Sequence, residues 1–288
     1  MLDGIYTQDT MTVPSGVNVQ AVAGSRPVVI HSDGSPPGLQ FGAGCSVTGV
    51  WFGGTKFADE NGRIINFLSG GGATVDGCTF FGYSQGMGGW VGSSNLITKN
   101  RFVNCGYDGL WHDIYCSNSG NTEISEGIHV GGAGYKIHLY NNPEGLTIRA
   151  NFMGGSTVSD MAIQQGNDTI ANNILWGEVV ASYWNAENCI FSKNIFGPDR
   201  AYFTDVSSNN TADGNVFCNG QTPFGTNPQT WDAAAIATNL GKTKSEIDMA
   251  ISTLIAAFSQ TVQQIHDDAM IETHFATLKA VIDAWKLQ

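Results

Sequence analysis

The amino-acid sequence predicts an all-β solenoid, a parallel β-helix of about nine coils, followed by a C-terminal α-helical element. The strongest observation is an asparagine that recurs at intervals of 22, 21 and 21 residues, at Asn151, Asn173, Asn194 and Asn215. An apolar pair or near-pair follows each asparagine. A period near 22 residues is typical of one solenoid coil, so the chain is predicted to fold by stacking coils and not around one central core.

Short apolar segments form two columns in this register. The first column contains the segments beside these asparagines and continues toward the N-terminus through Asn100, Cys78, Val50 and Val28. The second column follows about ten residues later in each coil. Its segments are 39–41, 64–67, 90–91, 110–112, 137–139, 161–163, 182–184 and 201–203. Two strands per coil are therefore expected, with inward asparagines that hydrogen bond to backbone groups of their own and adjacent coils.

The composition limits the partners that the chain is expected to bind. Its 288 residues include 13 Lys and Arg against 25 Asp and Glu, which gives a formal net charge of −12. Binding to nucleic acid or to an anionic membrane depends on Lys and Arg, so neither partner is expected. The sequence has no apolar run of about 18 residues, which argues against membrane insertion. No cofactor is expected.

The N-terminal segment bears on location. Residues Met1–Tyr6 lack a basic stretch followed by an apolar stretch, and we expect them to enter the fold at once. Either a leader has been removed, or export does not use a cleaved leader. Cytoplasmic synthesis followed by virion assembly fits the second case, so the expected location is a virion surface or the extracellular space.

The six cysteines show neither a CxxC pair nor a Cys/His cluster with zinc spacing, so no metal site is expected. Cys78 lies in the position of the asparagines, and Cys189 precedes a predicted strand. These placements favour buried thiols. A disulfide between Cys105 and Cys116 is the alternative.

The sequence pattern changes after the β-helix, which is predicted to span residues 1–221. Residues 222–241 are predicted to form a linker and a first short helical segment. Residues 242–288 carry apolar residues at helical spacing, and Thr243 with Glu246 has the spacing of a capping box. This segment is expected either to cap the open end of the solenoid or to join subunits in a homo-oligomer.

Several segments resemble the right-handed β-helix proteins of the pectate-lyase-like superfamily. The resemblance rests on Val47–Phe52, Gly134–Asn141, the asparagine-containing repeats, and the opening residues Asp3–Tyr6 with Val13–Val17. It covers residues 1 to about 220 and implies a single-stranded right-handed parallel β-helix. The superfamily includes polysaccharide lyases, glycoside hydrolases, epimerases and non-catalytic phage tailspike or adhesin modules. The Asn-Thr-Asp, strand Asp-Asp and Gly-His-Gly motifs of polygalacturonase-like hydrolases do not occur in the β-helix.

Strand alternation in the second column predicts a candidate binding face. With Leu110, Ile137 and Leu139 facing inward, aromatic and polar residues of successive coils face outward. The predicted substrate-binding residues are Trp111, Lys136, His138, Gln164, Trp184 and Tyr202. Aromatic rings with interspersed polar groups suit pyranose rings, which stack on indoles and accept or donate hydrogen bonds through their hydroxyls. A one-residue shift of register would turn Trp111 and Trp184 inward instead.

The sequence supports two hypotheses about function. The leading hypothesis is a non-enzymatic glycan-binding or virion-surface protein, such as a phage spike, adhesin or decoration protein, whose partner is a polysaccharide or cell-surface glycan. The alternative is a polysaccharide lyase or glycoside hydrolase that acts along the Trp111/His138/Trp184 face. Its candidate catalytic residues are His138 or Tyr140 as base, and Asp113, Asp160 or Glu126 as the partner.

Overall fold

The computed structural model describes residues 1–55, 65–67, 71–88, 94–106, 110–116, 120–140, 144–156, 160–163, 166–182, 187–198, 200–203 and 209–288. For residues 67, 88, 178–182 and 200–203 it describes the backbone only. The described chain forms a parallel β-helix, as predicted, followed by a helical region.

Three parallel sheets form the walls of the β-helix. Sheet A contains β1 (Gly4–Thr7), β4 (Pro27–Ile30), β7 (Trp51–Gly53), β10 (Thr79–Phe81), β13 (Arg101–Val103), β16 (Ile128–Val130), β19 (Phe152–Gly154), β22 (Ile174–Leu175), β25 (Ile195–Phe196), β28 (Val216–Cys218) and β29 (Gln229–Trp231). Sheet B contains β2 (Thr10–Val13), β5 (Gly38–Phe41), β8 (Ile65–Phe67), β11 (Met87–Gly88), β14 (Ile114–Cys116), β17 (Ile137–Leu139) and β20 (Met161–Ile163). Sheet C contains β3 (Asn18–Gln20), β6 (Ser46–Thr48), β9 (Thr74–Asp76), β12 (Leu96–Thr98), β15 (Glu123–Ser125), β18 (Thr147–Arg149), β21 (Thr169–Ala171), β24 (Ile190–Ser192) and β27 (Thr211–Asp213).

The coil number and the strands per coil differ from the prediction. Seven described coils contribute a strand to all three sheets, fewer than the nine expected. In the two following coils, β23 (Glu178–Ser182) and β26 (Arg200–Phe203) pair with each other in a separate sheet. Each of the seven coils has three strands and not two. The sequence pattern shows only two because sheet C strands lie just two residues before sheet A strands. The segments 74–76 and 79–81 therefore read as one strand in the sequence.

The corner between sheets C and A repeats one backbone conformation. Its first residue has a positive φ in eight coils, at Gly49, Gly77, Lys99, Glu126, Ala150, Asn172, Lys193 and Gly214. In five of these coils the next residue is a buried asparagine: Asn100, Asn151, Asn173, Asn194 and Asn215. The left-handed residue turns the chain sharply enough for the following side chain to point between coils.

The predicted asparagine ladder is confirmed by its hydrogen bonds. Asn173 Oδ1 accepts from the backbone N–H of Asn151 at 3.0 Å, and Asn173 Nδ2 donates to the carbonyl of Ile148 at 2.9 Å. Asn194 repeats both contacts, with the N–H of Asn173 and the carbonyl of Ile170. Each amide thus pairs a buried donor and a buried acceptor that the corner would leave without partners.

Four helices follow the β-helix: α1 (Ala233–Asn239), α2 (Lys244–Ala257), α3 (Val262–Asp267) and α4 (Ile271–Lys286). Thr243 begins α2 with the predicted capping box. The apolar faces of the helices pack against outward residues of sheet A, including Trp51, whose ring stacks on that of Phe258 at 5.7 Å. No helix among the described residues is long and apolar enough to cross a bilayer.

The helical region lies along the side of the β-helix and not over its end. Arg26, in the corner before β4, donates to the carbonyls of Ile265 and His266 at 3.2 and 2.9 Å. Several coils further on, Trp285 Nε1 donates to the carbonyl of Lys193 at 2.7 Å. The cap interpretation of residues 242–288 therefore does not fit this placement. A homo-oligomer through residues 242–288 stays a prediction and would have to use the outer faces of the helices.

All six cysteines are buried in the fold, and Cys105 and Cys116 are not joined by a disulfide. Burial raises the pKa of the Cys78 and Cys116 thiols to about 12 in each case. These thiols fill space in the narrow core, as the sequence favoured.

Candidate functional site

Five aromatic rings meet on the outer face of sheet B. We call His112, Tyr115, Tyr135, His138 and Tyr140 the histidine–tyrosine cluster. Tyr115 and His138 are the central residues of β14 and β17, where they are directly paired across the sheet. Their strand neighbours point into the core, so these two side chains point outward. The cluster is therefore built by two successive coils.

His138 lies at the centre of the histidine–tyrosine cluster. Its ring centroid is 4.5 Å from that of His112, 5.2 Å from Tyr115 and 5.1 Å from Tyr135. The ring of Tyr140 lies 5.7 Å away and is the most exposed of the five, at 36%. His112 is buried beneath the others. The result is a packed aromatic surface with one exposed edge.

A chain of hydrogen bonds fixes the tautomers of the two histidines. The backbone N–H of Tyr135 donates to His112 Nδ1 at 3.2 Å, so this nitrogen carries no proton in the neutral ring. The proton of His112 is then on Nε2, which donates to His138 Nδ1 at 2.9 Å. His138 must consequently carry its proton on Nε2. That nitrogen is buried and has no hydrogen-bond partner among the described residues.

Burial keeps both histidines neutral. It lowers the pKa of His112 to about 3, with smaller effects from His138 and Lys136, and it lowers the pKa of His138 to about 4. Burial also raises the pKa of Tyr115, with a contribution from Tyr140. Near pH 7 the histidine–tyrosine cluster therefore presents aromatic rings and tyrosine hydroxyls, without charge.

The predicted outward direction is wrong for Asp113, Lys136 and Asp160, which are all at most 1% exposed. These residues occupy equivalent corner positions immediately before β14, β17 and β20. Strand alternation does not extend into a corner, where the backbone turns. Leu110, predicted to face inward, is 80% exposed for the same reason.

The other predicted residues are dispersed or lie outside the described chain. Trp111 is half-buried beside His112 in the sequence. Glu126 lies at the corner between sheets C and A, where it pairs with Lys286 of α4 at 3.0 Å, far along the coil from sheet B. Gln164 and Trp184 are outside the described residues, and Tyr202 is described only by its backbone in β26. The continuous face from Trp111 to Tyr202 therefore stays a prediction.

Sequence analysis missed Tyr115 and Tyr135 as site residues. Tyr115 lies one coil before His138 at the same strand position, so the correct register of β14 with β17 would have found it. Tyr135 reaches the cluster from a corner, where the sequence gives no periodic signal.

A second group of polar side chains lies inside the β-helix, and we call Asp113, His129 and Lys136 the interior triad. His129 Nδ1 lies 3.2 Å from Asp113 Oδ2, and Lys136 Nζ lies 3.9 Å from Asp113 Oδ1. Asp160, one coil further, accepts from the backbone N–H of Gly177 at 2.9 Å. The interior triad is thus buried directly beneath the corner that holds His112 and Tyr135.

No family model matches the chain, and no curated protein matches it. Among solved structures, the chain is similar to PfbA, a surface adhesin of Streptococcus pneumoniae, with 10% identity, a TM-score of 0.49, and coverage of 80% of this chain and 82% of that chain. It is also similar to the tailspike protein of E. coli bacteriophage HK620 in complex with a pentasaccharide, with 14% identity and a TM-score of 0.45 over 79% of this chain and 56% of that chain. These likenesses concern overall shape alone. The fold itself is that of a parallel β-solenoid.

Proposed function

We propose that the protein is a non-enzymatic glycan-binding β-helix protein, located extracellularly or on a virion surface, which binds a neutral saccharide at the histidine–tyrosine cluster. The observation that carries this proposal is the outward group of five packed rings, at whose edge Tyr140 is exposed and Tyr115 and His138 are partly exposed. The location is supported by the sequence resemblance to a superfamily that includes phage tailspike and adhesin modules.

The chemistry of the cluster suits a sugar ring. The C–H face of a pyranose packs on aromatic rings, and its hydroxyls form hydrogen bonds with tyrosine hydroxyls. Tyr140 is exposed, while Tyr115 and His138 are partly exposed beside it. Because sheet B is rigid and parallel, the two coils hold these rings at fixed spacing, which lowers the entropic cost of binding.

Charge favours a neutral ligand over an acidic one. Both cluster histidines are uncharged near pH 7, and Lys136, the cation predicted for this face, is buried. The chain as a whole carries a net charge of −12, which repels polyanions. A uronate-rich polysaccharide would therefore lack a positive partner at the cluster.

The enzymatic alternative has weaker support. A glycosidase needs two carboxyl groups on either side of the scissile bond. Of the three carboxylates considered, Asp113 and Asp160 are buried and Glu126 lies on another part of the coil. His138 is a poor candidate base, because its Nδ1 already accepts a hydrogen bond and its Nε2 already carries the proton.

Binding to immobilised neutral and uronate-containing polysaccharides tests the proposal. We expect neutral glycans to bind, and Tyr140→Ala to weaken binding about tenfold, equivalent to about 1.4 kcal/mol. Tyr6→Ala is the matched control, since Tyr6 is similarly exposed at 37% but lies on sheet A. Equal binding by wild type and both Tyr140→Ala and Tyr115→Ala would refute the site. New reducing ends or unsaturated products that disappear in His138→Ala would favour the enzymatic alternative instead.

A further inference from the structure

The interior triad brings an amine and a carboxyl group together in the core. Asp113 and Lys136 immediately precede β14 and β17, whose first residues Ile114 and Ile137 are paired, so the two side chains stack one coil apart. His129 is the central residue of β16 and continues the interior column of phenylalanines, with its ring stacked on that of Phe102 at 4.8 Å. Three ionisable groups therefore share a space enclosed by apolar side chains.

Neither reactive atom has an ordinary partner. Lys136 Nζ and Asp113 Oδ1 form no hydrogen bond with any described residue, and both side chains are at most 1% exposed. Their separation of 3.9 Å is too long for a hydrogen bond. An ammonium and a carboxylate buried in this way without full hydrogen bonding are unfavourable. Transfer of one proton from the ammonium to the carboxylate gives the amine and carboxylic acid that condensation consumes.

We propose that Lys136 and Asp113 condense to an intramolecular amide, which covalently joins two successive coils. The Lys136 Nζ to Asp113 Cγ bond forms, the Cγ–Oδ2 bond breaks, and Oδ2 leaves as water. Nitrogen loses one proton in the net reaction, and this proton leaves with the hydroxyl group. Amine and carboxylic acid thus give amide and water, with no oxidant, reductant or further reactant.

His129 is placed to move the proton. Its Nδ1 lies 3.2 Å from Asp113 Oδ2, the atom that leaves, and can protonate it and then recover a proton from the nitrogen. The stacking of coils holds amine and acid at short range, and such positioning accelerates condensation strongly over the bimolecular reaction. Asp160, by contrast, accepts a hydrogen bond from the backbone N–H of Gly177. The amide also removes two buried charges from the core.

Mass spectrometry of the tryptic digest of the full-length folded protein tests the amide. Trypsin cleaves after Lys136 only if its amine is free, and no other Lys or Arg lies between Arg101 and Arg149. We expect one peptide, 102–149, that is lighter than its sequence by one water. Cleavage after Glu123 and Glu126 should then leave two pieces still joined through Asp113 and Lys136.

Two variants distinguish the amide from other reactions that release water. Lys136→Met should restore the full sequence mass, and His129→Gln should reduce the cross-linked fraction severalfold in freshly folded protein. Succinimide formation at Asp108–Gly109 also loses one water within peptide 102–149, but it leaves Lys136 open to trypsin and joins no chains. Tryptic peptides 102–136 and 137–149 at full mass from wild-type protein would overturn the proposal, whatever the folding of the variants.

Discussion

His112 Nε2 lies 2.9 Å from Nδ1 of His138, one coil away, and this hydrogen bond sets the protonation of both rings. Because a backbone N–H occupies the other nitrogen of His112, protonating either ring breaks an existing contact. The hydrogen bonds of this pair, on the outer face of sheet B, therefore depend on pH.

Acidification should destabilise the protein through this pair. The pKa of His138 is about 4 in the folded chain and near 6.5 in the unfolded chain, so the unfolded chain binds the proton more tightly. The stability contribution is complete above pH 6.5 and is lost as the pH falls toward 4. We expect a loss of about 2 kcal/mol from His138, after allowance for its partial exposure. Urea denaturation between pH 4 and 7.5 measures it.

His138→Gln should lose less stability than wild type over the same pH range. His274→Gln, in α4 and outside the cluster, should follow the wild-type curve. A wild-type curve parallel to that of His138→Gln would contradict the assignment of this pH dependence to His138.

Asp168 should have the opposite pH dependence. Asp168 lies at the corner before sheet C, where its Oδ1 accepts a hydrogen bond from the backbone N–H of Leu146 in the preceding coil. Asn95 lies at the equivalent position of another coil and accepts from the N–H of Ala73 in the same way. Burial raises its pKa to about 7, with a smaller effect from Glu144. Since the folded pKa lies above the unfolded one, the stability contribution is complete below pH 3.8 and is lost as the pH rises through 7.

Asp168→Asn should therefore stabilise the protein at pH 8, by at most about 4 kcal/mol, and have little effect at pH 4. The reciprocal Asn95→Asp substitution should destabilise it at pH 8. Guanidinium denaturation at the two pH values gives both results. Equal effects of Asp168→Asn at pH 4 and pH 8 would show that the carboxyl group does not titrate as stated.

The asparagine ladder should contribute strongly to stability. Asn173→Ala removes the partner of two buried backbone groups, the N–H of Asn151 and the carbonyl of Ile148. Each unpaired buried group costs about 1–3 kcal/mol, so we expect a loss of about 3 kcal/mol in the free energy of unfolding. Asn239→Ala, which removes an exposed amide in α1, should change it by less than about 0.5 kcal/mol. Similar effects of the two substitutions would argue against the ladder.

The corner between sheets C and A offers a pair of opposite substitutions. Ala150 has a φ of 55°, and Gly77 has a φ of 61° at the equivalent position. Ala150→Gly should stabilise the fold by about 1 kcal/mol, since glycine adopts this conformation without strain. Gly77→Ala should destabilise it by a similar amount, because a Cβ there meets no atom within 4 Å and only the backbone conformation matters. Thermal denaturation of both variants should give shifts of opposite sign.

The sequence contains one signal of the helical docking. The first-column strands read as consecutive apolar residues, such as Trp51-Phe52 and Phe80-Phe81, instead of alternating. Such runs indicate a sheet that is covered on both faces. In the structure, Phe52 and Phe80 fill the interior, while Trp51 and Phe81 lie beneath the helices. The apolar faces of the helices and the outer face of sheet A therefore bury each other.

The sequence by itself determined the coiled fold and the asparagine ladder. Stacking brings equivalent positions of every coil into contact, so one local rule, repeated near every 22 residues, is enough to specify both. The tertiary structure alone decided which corner side chains point inward and where the helices pack. Asp113 and Lys136 turn inward, and Tyr135 reaches His112, because each corner adjusts to its neighbours in adjacent coils and has no period of its own. Side-chain direction at such positions depends on contacts between residues distant in sequence, which no single repeat encodes.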